Sequence, residues 1–213
     1  MTPTQPRSLR LLPGDLPLKN RLLASLPDEL YAAIATDIRL VEVKLGEHLI
    51  THGVPVSDVF FPNGGVYSCT NQMNDGSLVE VATVGIEGMM GVSVFWGDMM
   101  GVGTSIQQVP NGPLPTMTVQ RFIEYASPPG PFRDAVSRYA QAHLLTVMQC
   151  AACNALHHLN QRCCRWSGRP SRPDFAESCR RPVSCGPAAS LPDLRPGPCS
   201  DGPDLDPDSD LWP

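Results

Sequence analysis

Two groups of residues have types and spacings that could do chemistry. Cys150 and Cys153, with His157, step by 3 and 4 along one helical face. Zinc takes Cys and His ligands and iron–sulfur clusters take Cys thiolates, so the trio could hold a metal. Small cysteines packed in a helix interface give the same spacing without one. Within His157-His158 and Cys163-Cys164 the two members point in different directions on a helix. No metal site and no cofactor is assigned. The second group, His48 and His52, sits in a glycine-punctuated corner region between Gly46 and Gly53, where a spacing of four does not make one face. No Ser/His/Asp arrangement, P-loop or dinucleotide fingerprint is present, so no catalytic residue is assigned and an enzyme is not expected.

The 213 residues suffice for one or two domains. The formal net charge of −5 supplies no overall basic field, so contact with nucleic acid would need a local basic patch. No apolar run of about 20 residues occurs, so no membrane span is expected. The apolar stretch Leu9 to Leu12 is too short for a signal-peptide core of about 7–15 residues. A cytoplasmic protein follows by default. Of the eight cysteines, Cys69 stands alone, four cluster from Cys150 to Cys164, and Cys179, Cys185 and Cys199 lie in a tail. That placement favours reduced thiols over a disulfide framework.

The spacing predicts a helix over Asn20 to Ala35, broken and restarted at Ser25 to Asp28 with Pro27 near the restart. Short strands follow. Val41, Val43 and Leu45 alternate with Glu42 and Lys44, the signature of a half-buried strand. Val59, Phe60 and Phe61 form a β-prone run. Val66 to Met73 and Leu78 to Val84 flank Asn74-Asp75-Gly76, read as a type I′ hairpin turn. Thr104 to Val109 is another strand. This spacing suggests a sandwich or barrel. Phe132 to Trp166 is a long helix of roughly 50 Å at about 1.5 Å per residue. Its stripe of Leu145, Met148, Ala152, Leu156, Leu159 and Cys163 could pack on a second chain or fold back on its own domain. The helix length favours the second chain, giving a homodimer.

From Ser167 the composition changes abruptly. About ten of roughly 47 residues are proline, against a norm of about 5%. With few apolar side chains to bury, residues 167–213 are read as disordered. Arg169, Arg172, Arg180, Arg181 and Arg195 are balanced by Asp201, Asp204, Asp206, Asp208 and Asp210, the pattern of a solvated tail more than of a DNA arm.

Gly46-Glu47-His-Leu49-Ile50-Thr-His-Gly53, Phe60-Phe61-Pro-Asn-Gly64-Gly65-Val66, Asp75-Gly76 and Gly85-Ile-Glu87-Gly88-Met-Met-Gly91 together resemble the sensor domain of Crp/Fnr transcription regulators. Arg138-Tyr-Ala-Gln-Ala142, Cys153-Asn-Ala-Leu156 and Gln161-Arg162-Cys-Cys-Arg165-Trp166 resemble the family's dimerisation helix. The likeness covers residues 20–166. It implies an α+β fold: a double-stranded β-helix, or jelly-roll-like β-roll, with flanking helices and a long C-terminal dimerisation helix. The expected division is a flexible N-terminus (1–19), a cyclic-nucleotide-binding-like sensor (20–131), the dimerisation helix (132–166) and the tail (167–213). In the family a winged helix-turn-helix follows the dimerisation helix, and the dimer reads two DNA half-sites. Nothing after Trp166 resembles it. DNA is therefore a partner in the family and a doubtful one for this chain, which could instead be a stand-alone sensor or dimerisation module.

The resemblance also implies an effector cleft at Gly85, Glu87, Gly88, Met89, Met90, Gly91, Gly103 and Thr104. In nucleotide-binding members, backbone N–H groups and an Arg hold the cyclic phosphate, and a Glu holds the ribose. Here residues 85–104 contain neither Arg nor Lys, and Met89 stands at the Glu position. A buried phosphate without its cation loses a charge-assisted bond of roughly 1.5–3 kcal/mol. Met89, Met90, Met99, Met100, Phe95 and Trp96 would line an apolar cleft for an unknown small effector, or fill it as core with no ligand.

The break at Ser167 has two explanations, a natural tail or a shift of reading frame. Translation of the other two frames downstream of codon 166 separates them. A frame shift yields an amphipathic, helix-rich continuation in one of them, and a natural tail yields none.

Overall fold

The computed structural model describes residues 10–156, all within a single compact unit. Residues 10–19, expected as part of a flexible N-terminus, are folded. β1 (Leu11–Leu12) and β2 (Leu16–Pro17) pair antiparallel across a tight turn. Leu12 is buried in the core. The Arg10 guanidinium donates to the carbonyls of Leu23, Ala24 and Leu26. These carbonyls lie at the end of α1 (Arg21–Ala24), just before α2 (Asp28–Ala35). A cation there satisfies acceptors that the short helix leaves open. The expected break between the two helices is present. Pro27 caps α2, and Asp28 and Glu29 occupy its first turn, where negative charge complements the helix dipole.

The strands are β3 (Arg39–Val41), β4 (His48–Ile50), β5 (Asp58–Phe60), β6 (Val66–Gln72), β7 (Leu78–Val84), β8 (Thr104–Val109) and β9 (Leu114–Thr118). They form two antiparallel sheets in the orders β3-β9-β5 and β4-β8-β6-β7. Val59, Leu114 and Met117 from the first sheet join Ile50, Tyr67 and Val84 from the second in one apolar cluster with Leu23, Ile34 and Phe61. Isolated bridges His52–Gly101 and Pro55–Met100 link the segments between strands at one corner. Antiparallel sheets with flanking helices make the β-roll that the resemblance implied.

Two local expectations are corrected, and two elements are added. The strand read through Val43 and Leu45 stops at Val41, and Leu45 is 68% exposed. Glu47 Oε2 accepts the Lys44 N–H at 2.8 Å and Gly46 takes φ +78°, so the chain turns away from the sheet. The Asn74-Asp75-Gly76 turn is not type I′, because only Gly76 has positive φ, at +83°. Gly76 N–H donates to Met73 O, and Met73 N–H to Ser77 O. This is the three-residue loop in which a left-handed glycine follows an ordinary turn. Finally, β9 and α3 (Val119–Ala126), which Thr118 caps through its side chain, were not foreseen.

The long helix α4 (Pro131–Leu156) opens with proline at a position where its missing N–H costs nothing. Phe132 meets Phe122 and Tyr125 edge to face at 5.7 and 6.1 Å, which fastens this end of α4 to α3. Farther along, Leu145, Met148 and Leu156 are 61%, 60% and 77% exposed. Ala152 is exposed as well. Leu159, Cys163 and Trp166, the rest of the expected stripe and helix, lie outside the described residues. So do His157, residues 1–9 and the 167–213 tail. No helix among the described residues is long and apolar enough to cross a membrane.

Asn20 ties these parts together and is fully buried. Its Oδ1 accepts the Leu23 N–H at 3.0 Å, capping α1. Its Nδ2 donates to Pro62 O at 2.9 Å and to Gly88 O at 2.8 Å. Its own N–H donates to Asn63 Oδ1 at 3.1 Å. Asn20→Ala removes the cap and leaves two enclosed carbonyls without these donors. It is expected to cost about 3 kcal/mol or more in urea unfolding, from roughly 1 kcal/mol for the cap and 1–3 for each stranded acceptor. A loss below about 1 kcal/mol would remove Asn20 from this role.

Candidate functional site

The chain leaves β7 through a tight turn that Glu87 organises, its Oε1 accepting the Gly85 N–H at 2.9 Å. Gly88 N–H donates to Gly85 O at 3.3 Å. Both amides are thus used inside the turn. Gly88 is glycine because of a contact and not a torsion: a Cβ there would stand 1.9 Å from the ring of Tyr139 on α4. The Tyr139 hydroxyl donates to Met89 O at 2.8 Å. The same turn is held on its other side by Asn20. One glycine is therefore clasped between α1 and α4.

Met89 and Met90 are each 1% exposed and belong to the core. Met90 exchanges backbone hydrogen bonds with Phe60, at 2.9 and 3.2 Å, which pins the segment to β5. Gly91, at φ +86°, lies against Val59 and Ile50. The other apolar residues expected beside them are elsewhere. Met99, Met100 and Trp96 are 41%, 42% and 60% exposed, while Phe95 packs on the edge of the core. An apolar cleft lined jointly by these six side chains does not form: two fill the core and three face outward.

Gly103 and Thr104 lie at the start of β8, where Thr104 pairs with Thr70 of β6. Gly103 fits against Thr70 O. Thr104 is buried, its carbonyl accepting from Thr70 Oγ1 at 3.1 Å and its Oγ1 from His52 N–H at 3.3 Å. Beside them runs a buried polar row, Ser68, Thr70, Thr83, Ser105 and Gln107. Ser68 bonds to Glu80. Cys69 Sγ lies 3.8 Å from Ser105 Oγ, and burial pushes its thiol up to about 11. It stays protonated near neutrality and is a poor nucleophile. Burial also raises the Tyr139 hydroxyl, with smaller contributions from Cys69 and Glu87, so it remains a hydrogen-bond donor.

Cys150 and Cys153 are both buried, and Gln149 Nε2 donates to Cys153 Sγ at 3.2 Å. Among the described residues no group of three or more His, Cys, Asp or Glu could hold a metal. Sequence reasoning missed Asn20 and Tyr139 as functional contacts. A lone Asn just before a helix signals a cap, but nothing in the sequence shows that its amide reaches Gly88.

The β-roll with a long C-terminal helix is the Crp/Fnr-like cyclic-nucleotide-binding domain fold. No family model and no curated protein matches the chain. Among solved structures, it is similar to CLP, a c-di-GMP-responsive global regulator of Xanthomonas campestris. The TM-score is 0.55 at 14% identity, covering 68% of this chain and 74% of that one. A putative cyclic nucleotide-binding protein from Geobacter metallireducens gives 0.49 at 15% identity, covering 61% and 92%. A regulatory subunit of a cAMP-independent protein kinase A from Trypanosoma brucei gives 0.49 at 16%, covering 57% of this chain and 43% of that one. The chain thus spans less than half the length of the trypanosome protein.

Tyr139→Phe deletes the donor to Met89 O while keeping the ring over Gly88. It is expected to lower unfolding stability by about 1–2 kcal/mol in a urea titration. An unchanged midpoint would mean that the hydroxyl contributes nothing to the clasp.

Proposed function

We propose that this chain is the regulatory sensor and dimerisation part of a Crp/Fnr-type transcription regulator whose nucleotide site has been filled by its own side chains. The observation that carries this reading is the Gly88–Tyr139 contact on the family's fold. In this reading the turn that would meet an effector touches the helix that would pair with a second copy, which supports a coupling between them. A change at the turn is thereby transmitted to α4, which is what a sensor coupled to an assembly needs.

The homodimer is supported by Leu145, Met148, Ala152 and Leu156, which step along α4 and lie exposed. Leu, Met and Ala at this spacing suit a helix seam between two chains. The effector residues proposed from the family pattern, Gly85, Glu87, Gly88, Met89, Met90, Gly91, Gly103 and Thr104, act in this reading as a structural relay and not as a cyclic-nucleotide site. DNA recognition is not assigned to residues 10–156.

Sedimentation of the full chain is expected to give a dimer, and Leu145→Glu with Met148→Glu a folded monomer. A wild-type monomer at about 100 μM, well above the affinity of ordinary helix seams, would contradict the seam. Calorimetric titration with cyclic AMP and cyclic GMP is expected to show no micromolar binding, and such binding of either would overturn the filled site.

A further inference from the structure

Beside the filled turn lies an open groove of about 870 Å³, between α1 and α4. Arg21 from α1 and Arg138 from α4 both line it, with Glu87, Tyr139 and His143. The Arg21 N–H donates to Ile86 O at 2.6 Å, which fixes the start of α1 against the turn after β7. The ion pairs among the described residues use Arg10, Arg39 and Arg121, and neither Arg21 nor Arg138 takes part in one. Glu87, the acid of the groove, spends one carboxylate oxygen on its own Gly85 N–H. In a chain of net charge −5, two guanidinium groups from separate elements converge on one concavity. Leu22, Ile86 and Leu145 give it an apolar wall.

We propose that this groove binds a small organic polyanion, one bearing at least two phosphate or carboxylate charges. Guanidinium forks match both groups in bidentate geometry and are weakly hydrated, so they take such anions out of water at low cost. The volume is that of an ordinary small-molecule site. Two cations facing one acid favour a ligand with more than one charge over a monoanion such as a cyclic nucleotide. The groove supplies from α1 and α4 the positive charge that residues 85–104 lack. Leu145 also belongs to the proposed seam while Arg21 and Arg138 do not, so loss of anion binding in the arginine variants is distinguishable from loss of the dimer.

Calorimetric titration of the full chain with pyrophosphate and with citrate, at constant ionic strength, tests the proposal and separates phosphate from carboxylate preference. At least one probe is expected to bind saturably, with sodium chloride producing no matching heat. Arg21→Gln and Arg138→Gln, both at exposed positions, should each weaken binding about tenfold with the circular dichroism spectrum unchanged. Glu87→Gln, which keeps an oxygen for Gly85 N–H, should tighten it a few-fold. No saturable binding of either probe, or equal binding by the Arg21→Gln/Arg138→Gln double variant, would overturn the proposal.

Discussion

Gly88 is the point on which the architecture depends. Its carbonyl accepts from Asn20 at the head of α1, and its Cα faces the Tyr139 ring so closely that no side chain fits. Three segments far apart in sequence meet at one residue with nothing beyond its backbone. Interiors are close-packed and do not deform smoothly, so displacement of this turn must be answered by α1 and α4. Asn20 adds the polar half of the constraint. It is buried and it serves the helix cap, Pro62 and Gly88 at once. A group that satisfies so many buried partners is exacting in geometry, because each lost bond leaves an enclosed dipole.

From that constraint follows the contrast between the two ends of α4. Its first turns are held by Phe122, Tyr125 and the Gly88 turn, with Ala135, Val136 and Ala140 buried. From Leu144 onward the helix presents large apolar side chains to solvent. One helix thus carries both a firmly packed end and a stretch of exposed apolar side chains. The turn itself is given over to packing. Met89 and Met90 complete the core, and the amides of Gly85 and Gly88 are used within the turn.

Much of the framework was legible in the sequence. The β6, β7 and β8 strands were legible within a residue of their bounds, and the glycines mark corners between strands. The long helix announces itself by a continuous period without Gly or Pro. What escaped has physical causes. In β9, Pro115 sits in the middle strand of its sheet, where proline ordinarily argues against a strand. The alternation through Val43 and Leu45 is overridden by the Lys44–Glu47 turn. The direction of the methionine side chains is a tertiary property: Met89 and Met90 are core while Met99 and Met100 are surface, though the two pairs read alike. The candidate site was legible as a backbone pattern and a missing cation, and illegible as a contact, because Tyr139 lies some fifty residues from Gly88.

Amide hydrogen exchange on wild type and Gly88→Ala tests the clasp most directly. The account predicts that the added methyl displaces Tyr139, so that protection falls together in residues 85–91, in α1 and in residues 136–143 of α4. Loss of protection confined to residues 85–91, with α1 and α4 exchanging as in wild type, would contradict it.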